Sequence, residues 1–496
     1  MPSVDLPDDP DLGQLRKQAR ELQRAVRAGD PEAMALATEF HPDPVTPEGW
    51  RLSAAQLVLA RRYGFPSWPA LTRYLGVISE YRTAPDEAAP SADPGTEFLR
   101  RACLTYSSAD GPLQRSAADV LAEYPDLGRD DVWVAAARAD ADAVGGLLRR
   151  DARLAVRPGG PHHWPPIAYL TYARHDPHLG RDAVVDTARL LLDHGADPNT
   201  GFLWHGLRTP FTLLTGCFGH GEQGPEKQSR HPQEHALARL LLAAGADPND
   251  AQGLYNRMFT PADDHLELLF EFGLGTGDGG PWRRRLGERV PSPVRLLHDQ
   301  LAWAATHGFT HRVALLAEHG VDLTARLDGY GVRRQTAYEA ARTSGQLDVV
   351  RLLAERGVAG TPLPPEDEVI AAVLAGDRAA VDRLGPDALA KAVAARPGLV
   401  VWAAVRADPA AVRLAVELGW AVSAMARTDA PGNEEWETAL HHAAGEGDVE
   451  LARLLLDLGA DPHARDHRFD GTPLDWAQHF DQPATAALLE QLTDPH

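Results

Sequence analysis

The chain has 496 residues, 44% hydrophobic and 24% charged, which gives material for several domains or one long array and is ordinary for a soluble protein. Its formal net charge of −21 disfavours wholesale attraction to nucleic acid or anionic lipid and favours a basic partner. Two cysteines, Cys103 and Cys217, are too few for a disulfide framework, so a reducing compartment is the natural home.

Taken in order, the N-terminal MPSVDLPDDPDLG is acidic and proline-rich, without the apolar core of a signal peptide. No later stretch approaches ~18 uninterrupted apolar residues, so no membrane span is expected. The expected location is the cytoplasm. Lys17, Lys227 and Lys391 are the only lysines, and the abundance of Arg, Ala, Gly and Pro suggests a G+C-rich, bacterial genome.

Leu12 to Ala28 reads as an amphipathic helix, and AVRAGDPEAM (Ala25–Met34) turns into a second. Related phrases recur at Val134–Val144, Ala371–Val381 and Ala403–Val412: an alanine-rich helix stops at Gly or Asp and a new helix starts. Small residues let neighbouring helices approach closely, and the polar break makes the turn. In LSAAQLVLARRYGFPSWPALTRYL (Leu52–Leu75) a helix runs to Tyr63, Gly64-Phe65-Pro66 turn the chain, and Ser67 can cap another helix. RTAPDEAAPSADPG (Arg82–Gly95) reads as a linker. The expected organisation is a helical module over 1–81, a linker over 82–97 and a helical array over 98–496.

Within that array a glycine-capped phrase recurs: ARLLLDHGADPNT (Ala188–Thr200), ARLLLAAGADPND (Ala238–Asp250), LELLFEFGLGTG (Leu266–Gly277), VALLAEHGVDLTA (Val313–Ala325) and VRLLAERGVAG (Val350–Gly360). The plainest copy is TALHHAAGEGDVELARLLLDLGADPHARD, starting at Thr438. A short helix starts at Thr438 and Gly447 ends it. A second carries Leu451, Ala452, Leu455 and Leu456 on one stripe, and Gly459 stands where a helix end needs a left-handed residue. This stretch resembles an ankyrin repeat, T-P-L-H-x-A-A followed by L-L-x-x-G-A-D. The next threonine of the same type, Thr472 in TPLDWA, lies 34 positions on. The resemblance implies an all-α fold: an ankyrin-repeat solenoid of stacked helix pairs with short hairpin loops, preceded by the small N-terminal helical module. About ten repeats are expected, some degenerate, with insertions near 218–234 and 275–289. The last pair, ATAALLEQLTDPH, lacks a following hairpin, as suits a terminal repeat.

Several constellations invite chemistry. Cys217, His220, His231 and His235 form a C-x2-H…H-x3-H series that could hold zinc tetrahedrally, and His231–His235 also reads H-x-x-E-H, the string of inverted-motif zinc proteases. The plainer reading is a solvated loop that happens to carry histidines. Gly275–Gly280 contains G-x-G-x-x-G, but a repeat helix precedes it where a dinucleotide fingerprint needs a strand. Leu52–Leu75 is similar to a helix-turn-helix, with Arg51, Arg61, Arg62 and Arg73 for phosphates, although Trp68 and Leu71 look like core. No G-x-S-x-G elbow and no G-x4-G-K-[ST] loop occurs. His441 stands where the TPLH histidine of ankyrin repeats bonds to a neighbouring repeat, a structural role.

The resemblance therefore implies a non-catalytic protein-interaction scaffold, adaptor or inhibitor that uses a concave face and needs no cofactor. Carried over residue by residue, its contact positions are the hairpin residues Glu434, Glu435, Trp436, His467, Arg468 and Phe469, and Glu446, His479 and Phe480 on first helices. Tyr330 and Arg333 lie in another long hairpin, Trp204 and His205 in an earlier one. Aromatics beside arginine make good interface anchors, while the bland alternative at each is hairpin packing. The expected partner is another protein, favoured to be basic, with nucleic acid disfavoured. The alternatives are a DNA-linked regulator using 52–75 and a zinc-dependent enzyme.

Overall fold

The computed structural model describes residues 4, 6–7 and 10–493 except 222, 359 and 361; the final Asp494-Pro495-His496 of the last pair and six of the first nine residues lie outside the described residues. The protein is mostly helical, 58% helix and 5% strand, and the described residues form no barrel. It divides into two compact units, Met1–Leu296 and Leu297–His496. No single helix among the described residues is long and apolar enough to cross a membrane. One bent pair, Pro386–Ala395 and Leu399–Val405, passes on length and composition alone, and its second helix is core.

The first unit begins with helices Leu12–Arg27, Pro31–Phe40, Leu52–Arg62 and Trp68–Tyr81. Asp11, Asp30 and Ser67 cap three of them by accepting hydrogen bonds from Gln14, Ala33 and Ala70 main-chain N–H groups. Leu15, Leu71, Leu75 and Ile78 join Leu203, Trp282, Leu286 and Val290 in one core. The segment expected as an insertion at 275–289 is thus a tie: its helix Gly280–Leu286 lays Trp282 edge-on to Tyr81, ring centroids 5.0 Å apart. The segment read as a linker, 82–97, is likewise docked. Arg82–Thr83 pairs in parallel with Leu203–Trp204, and a short 3-10 helix, Pro85–Glu87, and the start of the α-helix Pro94–Ala102 both lie inside the expected linker. Its Pro- and acid-rich composition signals the lack of an apolar face, but strand pairing is made by main-chain groups that composition does not report.

Beyond it, helices come in pairs. Val132–Ala137, Pro166–Tyr172, Leu213–Phe218 and Ala251–Met258 pack one on the next, and so do Ala141–Arg150, Arg181–Asp193, Glu234–Ala243 and Asp264–Glu271. Small residues explain the close series: Ala135, Ala136, Ala137, Ala168 and Ala251 are all buried.

In the second unit Ala337–Thr343 packs on Pro365–Leu374, and Leu399–Val405, Ala439–Glu446 and Pro473–His479 pack in succession. Ala372, Ala403, Ala404, Ala443, Ala444 and Ala477, with Trp402, Leu440, Leu455 and Leu489, belong to one core. Two short antiparallel ribbons project from this unit, Leu327–Gly329 with Val332–Gln335 and Met425–Ala426 with Glu437–Thr438. With the three-stranded sheet of the first unit, they correct the all-helical expectation to a helical fold with small strand ribbons.

Candidate functional site

The repeat that starts at Thr438 assembles from local signals. Thr438 Oγ1 caps Ala439–Glu446, and His441 Nδ1 lies 2.8 Å from it while His441 Nε2–H donates to the Gly471 carbonyl at 3.0 Å. One neutral imidazole thus joins its own helix start to the next loop, and burial holds its pKa below the usual value, keeping it neutral. Asp448 caps Val449–Asp457 through Leu451 N–H, and Gly459, at φ 91°, turns the chain out of that helix.

The loop that follows is built around Asp466. Its carboxylate accepts from the main-chain N–H of Arg468 (2.8 Å), Phe469 (2.6 Å) and Gly471 (2.8 Å) and from Trp476 Nε1 (3.0 Å). Burial pushes the carboxyl up, but these donors, Trp476 foremost, outweigh it and hold its pKa below the ordinary value. The fixed loop presents His467, Arg468 and Phe469. His467 N–H donates to the Trp436 carbonyl at 2.8 Å, tying this loop to the preceding ribbon.

Around that tie lies an aromatic and cationic patch. The Arg427 and Arg468 guanidinium carbons sit 4.6 and 4.3 Å from the Trp436 ring centroid, and Arg468 is 5.1 Å from that of Phe469. Trp476 continues the row, 6.3 Å from Phe469 and 5.8 Å from Phe480, with His479 against Phe480 at 4.9 Å. Phe469 is 69% and Phe480 51% exposed. Glu434 lies 3.9 Å from Arg427, and Glu435 3.9 Å from His467. Glu446, exposed, ends its helix. The structure therefore brings Trp436, His467, Arg468, Phe469, His479 and Phe480 together. Sequence reasoning missed Trp476 and Arg427, although TPLDWA placed the tryptophan on the same helix as His479, one turn earlier.

The other expected contact residues lie elsewhere. Trp204 Nε1–H donates to the Thr105 carbonyl at 3.0 Å, and His205 Nε2 reaches the Asp86 carboxylate at 2.8 Å, so both are spent on packing in the first unit. Tyr330 stands edge-on to Trp303 at 5.9 Å, and the neighbouring Arg333 is exposed; with Glu434 they line a cavity of the second unit.

The zinc reading is overturned. Cys217 is fully buried, its carbonyl accepting from His231 N–H at 3.0 Å, while His220 N–H donates to the Gln228 carbonyl at 2.6 Å. The spacing that suggested ligands belongs to two strand-like rungs that close the insertion on itself. Burial pushes the Cys217 thiol up, lowers His220 to about 4 and lowers His231 too. His235 turns away to Asp264 at 2.9 Å. Among the described residues, the group whose ligand atoms converge is Glu234, His235 and Asp264, within 4.8 Å of one another. Arg257 and Arg230 each already bridge its two carboxylates, at 2.7 to 3.2 Å. Two guanidinium charges thus fill the place a dication would take.

Leu52–Leu75 does form two helices around a capped turn, but the second, Trp68–Tyr81, buries Leu71, Tyr74, Leu75 and Ile78. Arg289 stacks 4.0 Å over Phe65 and 5.3 Å over Tyr74. The exposed positions of that helix include Arg73 but also Glu80, a poor surface for phosphates.

Among comparisons with known proteins, residues 435–467 match the ankyrin repeat family, the stretch that holds Thr438, His441 and Gly459. The match supports an ankyrin-repeat protein, and ankyrin repeats typically serve as non-catalytic modules that bind other proteins. No curated protein matches the chain.

Proposed function

We propose that this chain is a cytoplasmic, bacterial ankyrin-repeat array that binds another protein, without a catalytic step, through the patch Trp436, Arg468, Phe469, Trp476 and Phe480. The observation that carries the reading is the exposure of Phe469 and Phe480 on either side of Trp476, beside a guanidinium that already lies on Trp436. Two large apolar side chains left in water, Phe469 on the loop and Phe480 at the end of the helix Pro473–His479, are the anchors an interface needs. The serial packing of first helices in each unit supports an array of about ten stacked pairs over 98–496, with 1–81 as an added helical module. The net charge of −21, with Glu434, Glu435 and Glu446 on the rim, favours a basic partner.

The test is affinity capture from native lysate with the intact chain and with the Arg468→Ala/Phe469→Ala and Phe480→Ala variants, bound proteins being quantified by mass spectrometry. One prominent partner, of high isoelectric point, is expected to drop at least tenfold with either variant. Capture unaffected by both would move the surface off this patch.

A further inference from the structure

The first unit holds a cavity of about 290 Å³, at the lower edge of the range of about 300–1,000 Å³ typical of small-molecule sites. Parts distant in the chain meet around it. Tyr81 ends the helix Trp68–Tyr81, Trp164 and Tyr172 come from around Pro166–Tyr172, and Trp282 comes from Gly280–Leu286. Phe202 and Phe211 stand opposite each other on paired strands. The Trp164 and Phe202 rings are 4.9 Å apart and 25° from parallel, and those of Phe202 and Phe211 5.6 Å and 22°. A wall of such rings suits a planar aromatic ligand, by stacking or by edge contact.

One cation lines this cavity without a partner. Arg285, half-buried, lays its guanidinium carbon 5.0 Å from the Trp282 ring centroid and 5.3 Å from that of Tyr81. It forms no hydrogen bond and no ion pair among the described residues, and its nitrogens are open to solvent. Its neighbours are spent otherwise: Arg284 is forked on Asp278 at 2.9 and 2.8 Å, Arg283 donates to the Asp278 carbonyl at 3.2 Å, and Arg289 donates to the Tyr63 carbonyl. Ring stacking orients a guanidinium while leaving its N–H edge free, the edge that pairs bidentately with a carboxylate. Glu80 and Asp197 also border the cavity, but both are exposed, and Asp197 already accepts from the Asn199 N–H at 2.8 Å. Water and salt screen those exposed acids more than they screen the half-buried Arg285.

We infer that this cavity binds a small planar aromatic acid, its ring among the aromatic side chains and its carboxylate forked on Arg285. The small volume limits the ligand to one or two fused rings. Such a ligand would touch Tyr81, the strands and Trp282 together, and so tighten the docking of the N-terminal helices. The site uses no residue of the proposed protein-binding patch and does not depend on it.

The experiment is isothermal titration calorimetry of the full chain with benzoate, 2-naphthoate and indole-3-carboxylate, each to ~1 mM, near the weakest affinity worth calling a site. Saturable binding of at least one acid is expected. Its carboxamide, its aminomethyl analogue and the non-planar cyclohexanecarboxylate should each bind at least tenfold more weakly. Arg285→Gln removes no hydrogen bond or ion pair and should leave the circular dichroism spectrum unchanged, with binding at least tenfold weaker. Hydrogen exchange of Gly201–Trp204 and Gly280–Leu286 should slow in the parent when the acid is bound. Absence of binding, equal binding of the carboxamide (an apolar pocket only) or tighter binding of the amine (a cation held by Glu80 and Asp197) would each overturn the inference. So would unchanged binding by Arg285→Gln, or slowed exchange confined to other segments.

Discussion

At the scale of single residues, the acids of this protein divide by what they touch. Glu97 accepts both forks of Arg100 (2.8 and 2.7 Å), Arg101 Nε (2.6 Å) and Ser91 N–H (3.0 Å), and these donors, Arg100 first, hold its carboxyl down at about 2. A depressed carboxyl stabilises the fold above its ordinary pKa, and that stabilisation is lost as pH falls through the folded value. Hydrogen exchange of Pro94–Ala102 should therefore accelerate between pH 4.5 and about 2, and Glu97→Gln should flatten this change. Asp250 behaves oppositely. Burial pushes it up to about 6 in spite of Thr212, Gly253 and Thr215, so it costs stability as pH rises from 3.8 to about 6. Exchange of Ala251–Met258 is expected to be slower at pH 4 than at pH 7 after correction for intrinsic rates. Asp466 belongs with Glu97: Asp466→Asn should destabilise the last repeats by about 1–3 kcal/mol at neutral pH, less at pH 3, as read by urea unfolding followed through Trp476.

At the scale of elements, two pieces without repeat character hold the first unit together. Trp282, on the helix Gly280–Leu286, donates to the Asn199 carbonyl at 3.0 Å and fills the core shared with Tyr81, Ile78 and Leu203. Trp282→Ala leaves a cavity where four elements meet, and a loss of about 3–5 kcal/mol is expected. The sharper readout is proteolysis: cleavage between 82 and 97 is expected to be slow in the parent and fast once the strand pairing with Leu203–Trp204 is released. This tie was not legible in the sequence. GTGDGGPWRRRLGER reads as a glycine-rich, basic insertion, because the partner that gives Trp282 and Arg289 their places comes from Phe65, Tyr74 and Tyr81, some two hundred residues earlier. The C-x2-H…H-x3-H spacing misled for the converse reason. Regular spacing arose from main-chain rungs between 217–220 and 228–231, which do not require their side chains to converge.

At the scale of the whole molecule, a net charge of −21 makes association with a basic protein dependent on salt. If the proposed partner is basic, its association rate should fall at least tenfold between about 20 and 300 mM NaCl while dissociation changes little. A salt-independent association rate, measured by stopped-flow, would leave acidity without a part in recognition. What the amino-acid sequence determined by itself was whatever is decided within a turn or two of helix: the Thr438 and Asp448 caps, the Gly447 and Gly459 exits, the alanine faces, and hence the repeat between 435 and 467. Such signals need only neighbours in the chain. What only the tertiary structure decided was which side chains meet: Trp476 with Phe469 and Phe480, Arg289 with Phe65 and Tyr74, Trp204 with the Thr105 carbonyl. Those meetings depend on how far each insertion displaces the next helix pair, a distance set by packing and recorded at no single position.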